Sequence, residues 1–179
     1  MISYEKDKIV NTSCSFGVSH YALAKKEGSE NVQTKFAFDA GTTKTNLMKL
    51  LRAYSLNKPI LIEGPPGVGK TALVEQVAKV TGRKLVRVNL SEQTDMMDLL
   101  GSEYPTSANK NSDADFSDEE DQDEIHFRWG DGVLLSAIKE GHWLLIDEMN
   151  LAQQSILEGL NAILDHRRTV YIPELNQEF

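Results

Sequence analysis

An α/β fold with a parallel sheet is what this sequence predicts, and three observations predict it. Short apolar runs alternate with amphipathic helical stretches along most of the chain. A glycine-rich turn, Gly64 to Gly69, joins one such run directly to a helix. Another run, Trp143-Leu-Leu-Ile146, ends in two adjacent acids, Asp147 and Glu148. The 179 residues amount to about one domain. With 40% hydrophobic and 26% charged residues the chain can bury one real core.

In order along the chain, residues 1 to about 35 are polar and weakly periodic, and are expected to be weakly structured and peripheral. Residues 36–179 read as one folded unit. Thr42 or Thr43 can cap a helix with Leu47, Leu50, Leu51 and Tyr54 on one face. Pro59 to Glu63 reads as a short buried strand. The helix after the glycine turn, about Lys70 to Thr81, carries Leu73, Val74, Val77 and Ala78 on one stripe and stops at Gly82. A strand from Lys84 to Leu90 follows, then a short helix from Asp95 to Leu100. Residues 102–124 read as a solvated loop insertion, and Phe127 to Trp129 as a hairpin arm. Asp131 is placed to cap a helix through Leu134, Leu135 and Ile138. After the strand at Trp143, Asn150 is placed to cap a helix with Leu157, Leu160 and Leu164 inward, Gln153 completing a capping box. Val170 to Ile172 is a last short strand.

Charge and cysteine usage exclude several classes. The net charge of −8 comes from residues 113 to 124, which hold eight of the 27 acids and no Lys or Arg; the other 19 acids balance the 19 bases. No basic field for nucleic acid therefore stands out. The acidic run reads as a solvated loop, with docking on a basic partner the lesser alternative. One cysteine, Cys14, excludes an internal disulfide framework and a cysteine zinc site. No apolar run approaches the ~20 residues that cross a bilayer, and the N-terminus lacks the pattern of a secretory signal. An intracellular, reducing compartment is expected.

The chemistry is concentrated in two places. Gly64-Pro65-Pro66-Gly67-Val68-Gly69-Lys70-Thr71 is a complete G-x-x-x-x-G-K-[ST] phosphate loop between an apolar run and a helix. Its glycines let backbone N–H groups turn toward phosphate oxygens, and the helix N-terminus favours the anion. Lys70 can reach the β- and γ-phosphates of ATP, and the Thr71 hydroxyl can hold Mg²⁺. Asp147 then supports Mg²⁺, directly or through water, and Glu148 polarises the attacking water. An adjacent Asp-Glu pair favours hydrolysis over mere binding. His20, His126, His142 and His166 lack metal-ligand spacing, and Phe127 and Trp129, two apart on a strand, point to core or interface packing rather than base stacking.

These residues resemble a known family. The phosphate loop, followed by Leu145-Ile-Asp-Glu-Met-Asn-Leu-Ala152, is similar to the AAA+ ATPases of the MoxR and dynein-related branch. The likeness runs from Phe36 to Phe179. It takes in Thr42-Thr-Lys-Thr-Asn46, Leu85-Val-Arg-Val-Asn-Leu-Ser-Glu-Gln-Thr94, Phe127-x-Trp-x-Asp-Gly132 and Leu157-Glu-Gly-Leu-Asn-Ala162. It implies a P-loop NTPase three-layer sandwich. The wording is closest to the branch's giant ring-forming chains. That implies an ATP-hydrolysing module working beside neighbouring AAA modules, acting on large-subunit ribosome precursors and their assembly factors in the nucleolus and nucleoplasm. A non-hydrolysing structural ATP-binding module and a MoxR-type chaperone are the alternatives. The family's sensor asparagine, arginine finger and helical lid are not found by Phe179. The resemblance therefore implies part of a longer protein, a sheet lacking the strand between those at Ile60 and Leu144, and no hydrolysis by the isolated chain.

Overall fold

The computed structural model describes residues 8–18, 20–28, 34–106, 126–165 and 169–179. Its centre is a parallel pair, β4 (Leu85–Asn89) and β7 (Trp143–Asp147), in register from Leu85 opposite Trp143 to Asn89 opposite Asp147. Because side chains alternate along a strand, the pleat sorts these residues onto two faces. Val86, Val88, Leu144 and Ile146 pack on one side into a cluster with Leu99, Leu134, Ile156 and Leu160. Those four come from α3 (Met96–Leu100), α4 (Val133–Lys139) and α5 (Gln154–Leu164). Full burial of a leucine-sized side chain contributes roughly 1.5–3 kcal/mol, so this cluster holds the helices down. The other face carries Arg87 and Asp147 and meets α2 (Lys70–Val80); Trp143 packs there against a second cluster that includes α1 (Gly41–Tyr54). The result is the expected three-layer arrangement.

The second cluster corrects the reading of the N-terminal residues as peripheral. β1 (Ile9–Asn11), β2 (Ser15–Val18) and β3 (Tyr21–Ala24) form an antiparallel sheet in that order. Phe16, Val18 and Leu23 are buried with Phe38, Leu47, Leu51, Leu73, Val77 and Val80. The Phe16 and Phe38 rings lie 4.9 Å apart, tilted. Gly17 is needed for close approach, since a Cβ there would overlap the Tyr21 carbonyl oxygen. The sheet therefore closes the outer side of α1 and α2. Phe16→Ala should cost about 3–5 kcal/mol, the usual range for emptying a buried phenylalanine site. Urea unfolding of the two proteins measures it; a loss below about 1 kcal/mol would return these strands to the periphery.

Residues 59–63 correct a second expectation, for they form no strand. Leu61 is 72% and Ile62 37% exposed, and β7 pairs only with β4 among the described residues. A strand exists through its ladder partner, and without one alongside, the apolar run stays irregular.

Three helix starts also differ. α1 opens from Ala40 rather than through Thr42 or Thr43, and α4 opens from Gly132 without a side-chain cap. Asn150 lies in a 3₁₀ turn, Met149–Leu151, and α5 starts from Gln153. Asp131 is drawn off by stronger partners: Lys139 Nζ donates to both its oxygens at 2.8 and 2.7 Å, and Trp129 Nε1 donates at 2.9 Å. By contrast Asp95 caps α3 in a capping box with Asp98.

Residues 102–106 belong to β5 (Gly101–Thr106), which pairs antiparallel with β6 (His126–Asp131) and so shortens the expected loop. Trp129 is half-buried, whereas Phe127 is 65% exposed and lies outside the core. The acidic run from Asp113 to Glu124 and His166 lie outside the described residues. β8 (Tyr171–Ile172) and β9 (Gln177–Glu178) form a closing hairpin. Among the described residues no helix is long and apolar enough to cross a membrane.

Candidate functional site

The glycine turn takes the backbone through conformations that side chains resist. Gly67 and Gly69 have φ of 77° and 80°, and neither is crowded, so glycine is required there by conformation and not by space. Gly69 opens α2 in the left-handed region, with Lys70 and Thr71 as the first residues of the helix. The positive end of that helix faces the loop. Residues 64–69 are all exposed, which leaves the turn open to a ligand. Lys70 is folded back over it, its Nζ donating to the carbonyl oxygens of Gly64 at 2.8 Å and Pro65 at 2.9 Å. The ammonium is therefore already held over the loop.

The parallel register carries Asp147 to the same place from 76 residues away. Thr71 Oγ1 donates to Asp147 Oδ2 at 3.3 Å, joining the first turn of α2 to the tip of β7. The same oxygen accepts from Arg87 Nη2 at 2.7 Å, and Oδ1 accepts from the Glu148 backbone N–H at 3.2 Å. Partial burial raises the Asp147 pKa. The Arg87 hydrogen bond, the Glu148 N–H, the Arg87 charge and the Thr71 hydroxyl outweigh that and hold it below its ordinary value. The carboxylate is ionised at neutral pH.

Glu148 follows in the left-handed region, φ 55° and ψ 41°, with its side chain exposed. That conformation costs a non-glycine residue roughly 1–2 kcal/mol, and strain of this kind collects at functional sites. It ends β7 and turns the chain into the 3₁₀ segment. The structure thus brings Lys70, Thr71 and Asp147 to one loop, with Glu148 at the adjoining strand tip.

The donor set suits the groups that the loop calls for. Thr71 and Asp147 offer hard oxygen ligands close together, the type that Mg²⁺ takes. The open glycine turn with Lys70 over it suits a polyphosphate. No group of three or more His, Cys, Asp or Glu arranged for a metal occurs among the described residues, and Cys14 is exposed on a turn. A separate cleft, lined by Pro59, Ile138, Ile163, Val170 and Phe179, contains none of the site residues.

Sequence reasoning missed Arg87. A lone basic residue in a strand reads as solvated surface, yet this one also lies 3.5 Å from Glu75 on α2. The available signal was parity: Arg87 and Asp147 share a face of the β4–β7 pair, the face that α2 covers.

A family model described as the AAA domain of the dynein-related subfamily matches residues 59–178. The midasin of Dictyostelium discoideum is 43% identical over 171 residues, covering 96% of this chain and 3% of that protein. The midasin of Giardia intestinalis is 51% identical over 142 residues, covering 79% of this chain and 3% of its own length. An uncharacterized protein of Staphylococcus aureus is 40% identical over 121 residues, covering 67% of this chain and 41% of that one. The chain spans only about 3% of the length of the two midasins.

Proposed function

From the premise that the chain belongs to the dynein-related subfamily of AAA domains, we propose that it binds and hydrolyses ATP as one module of a midasin-like motor. The observation that carries this reading is the hydrogen bond from Thr71 to Asp147, which closes the phosphate loop onto the acid at the end of β7. The fold thus joins two features that lie 76 residues apart in sequence. In this reading the backbone N–H groups of residues 67–71 and the Lys70 ammonium bind the phosphates. Thr71 and Asp147 hold Mg²⁺, which when bound neutralises phosphate charge. Glu148 takes the proton of the attacking water.

Similarity to midasin over most of the chain supports placing this module beside other AAA modules in a ring. On that reading the intact motor acts in the nucleus on large-subunit ribosome precursors and removes their assembly factors. Two measurements test it. Calorimetry with the chain should show ATP binding that strengthens with Mg²⁺; no binding would remove the nucleotide reading. Depleting the full-length parent should cause large-subunit ribosomal RNA precursors to accumulate while small-subunit precursors stay level. Unchanged large-subunit precursors would leave an ATPase module with some other cargo.

A further inference from the structure

The Asp147 carboxylate is already attended by a cation. Arg87 donates to Oδ2 at 2.7 Å, sharing that oxygen with the Thr71 hydroxyl, and its other terminal nitrogen lies 3.5 Å from Glu75 Oε1. The arrangement follows from two periodicities. Glu75 is one helical turn beyond Thr71 on α2, so both stand over the same face of the sheet. Arg87 stands opposite Leu145 in the parallel register, one same-face step before Asp147. A half-exposed guanidinium thus sits between an acid of the metal site and an acid outside it.

We propose that Arg87 is a positioning residue that serves as the counter-cation of Asp147 before metal arrives, and that Mg²⁺ binding transfers it to Glu75. This rests on the nucleotide-binding reading above. The Arg87 guanidinium neutralises Asp147, which would otherwise repel an incoming polyphosphate. It also holds Oδ2 within reach of Thr71. Once Mg²⁺ is present, a third positive charge at the same carboxylate is redundant and repels the metal. Glu75 offers that charge a second carboxylate without moving it into solvent. Arg87 therefore strengthens metal-free ATP binding, weakens the added benefit of Mg²⁺, and relies on Glu75 to keep that weakening small.

The test is the ratio of ATP affinity with Mg²⁺ to ATP affinity in chelator, measured by calorimetry on the full chain. At about 5 Å and an effective dielectric of about 50, between the surface and bulk-water values, one unit charge is worth roughly tenfold in that ratio. Arg87→Gln should raise the ratio about tenfold, mainly by weakening the metal-free binding. Arg87→Lys, which keeps the charge, should stay within about threefold of the unmodified protein. Glu75→Gln should lower the ratio about three- to tenfold, because Arg87 then has only Asp147. A purely structural role for Arg87 would weaken binding under both conditions alike and leave the ratio unmoved, which would overturn the proposal. If the unmodified chain binds ATP in neither condition, the nucleotide reading falls and this inference with it. A normal ratio in the unmodified chain that neither Arg87→Gln nor Glu75→Gln alters sinks this inference alone.

Discussion

Lys70→Ala should lower the ATP affinity of this chain by roughly ten- to two-hundredfold. The side chain puts one full positive charge over the glycine turn, held by carbonyl oxygens of Gly64 and Pro65. It gives up two bonds to neutral acceptors and gains bonds to ionised phosphate oxygens, which are roughly twice as strong. Hydrogen bonds to charged groups contribute about 1.5–3 kcal/mol each. Net of the two bonds given up at about half that strength, two of them at the β- and γ-phosphates contribute about 1.5–3 kcal/mol, roughly ten- to two-hundredfold. The same bonds also brace the loop, so a fold defect must be told apart from a binding defect. Residues 64–69 are exposed and belong to neither apolar cluster, so the melting temperature should move by only a few degrees. Calorimetry and thermal melting on the same preparation separate the two. An affinity within tenfold of the unmodified chain would remove this loop from the nucleotide site.

The loop was legible in the sequence because its requirement is local. Two glycines must adopt positive φ, and a lysine and a threonine must open a helix, whatever the rest of the chain does. The strand at Trp143 was legible for a related reason: an apolar run ending in two acids marks where a buried strand meets solvent. What failed were inferences that needed a partner not visible locally. Residues 59–63 have the composition of a strand, but backbone groups need a neighbouring ladder, and none of the described residues supplies one. Asp131 and Asn150 have good capping side chains. Asp131 is taken by Lys139 and Trp129, and Asn150 by the turn that the left-handed Glu148 imposes.

The N-terminal sheet escaped notice for a different reason. Its strands have three or four residues and together bury only Phe16, Val18 and Leu23 among large apolar side chains. Too few apolar positions exist for a period-two signal to rise above its surroundings. Their burial comes from the faces of α1 and α2. In the site itself, the two motifs foretold that Thr71 and Asp147 would meet. Neither motif contains Arg87, and only the pairing of β4 with β7 reveals which side of the sheet it occupies.

Glu148→Gln should separate binding from turnover more sharply than any other change in this chain. Glutamine has nearly the same size and can adopt the same backbone conformation at φ 55°, so the turn after β7 and the N–H donated to Asp147 should both survive. ATP affinity should therefore stay within about threefold. What disappears is the carboxylate, and an amide cannot take a proton from water at neutral pH. Loss of a positioned general base typically lowers the rate about 10²–10⁴-fold. On the proposed reading, in which a neighbouring module completes the charge around the γ-phosphate, the measurement belongs in the full-length parent, with single-turnover hydrolysis and nucleotide retention followed together. ATP should remain bound and intact at this module. Glu148→Gly provides the contrast, since it also removes the carboxylate but relieves roughly 1–2 kcal/mol of backbone strain. It should be as inactive as the glutamine variant while melting at a higher temperature. If both variants hydrolyse ATP at the unmodified rate, the strained turn at Glu148 serves only to shape the end of β7. A group other than Glu148 would then have to activate the attacking water.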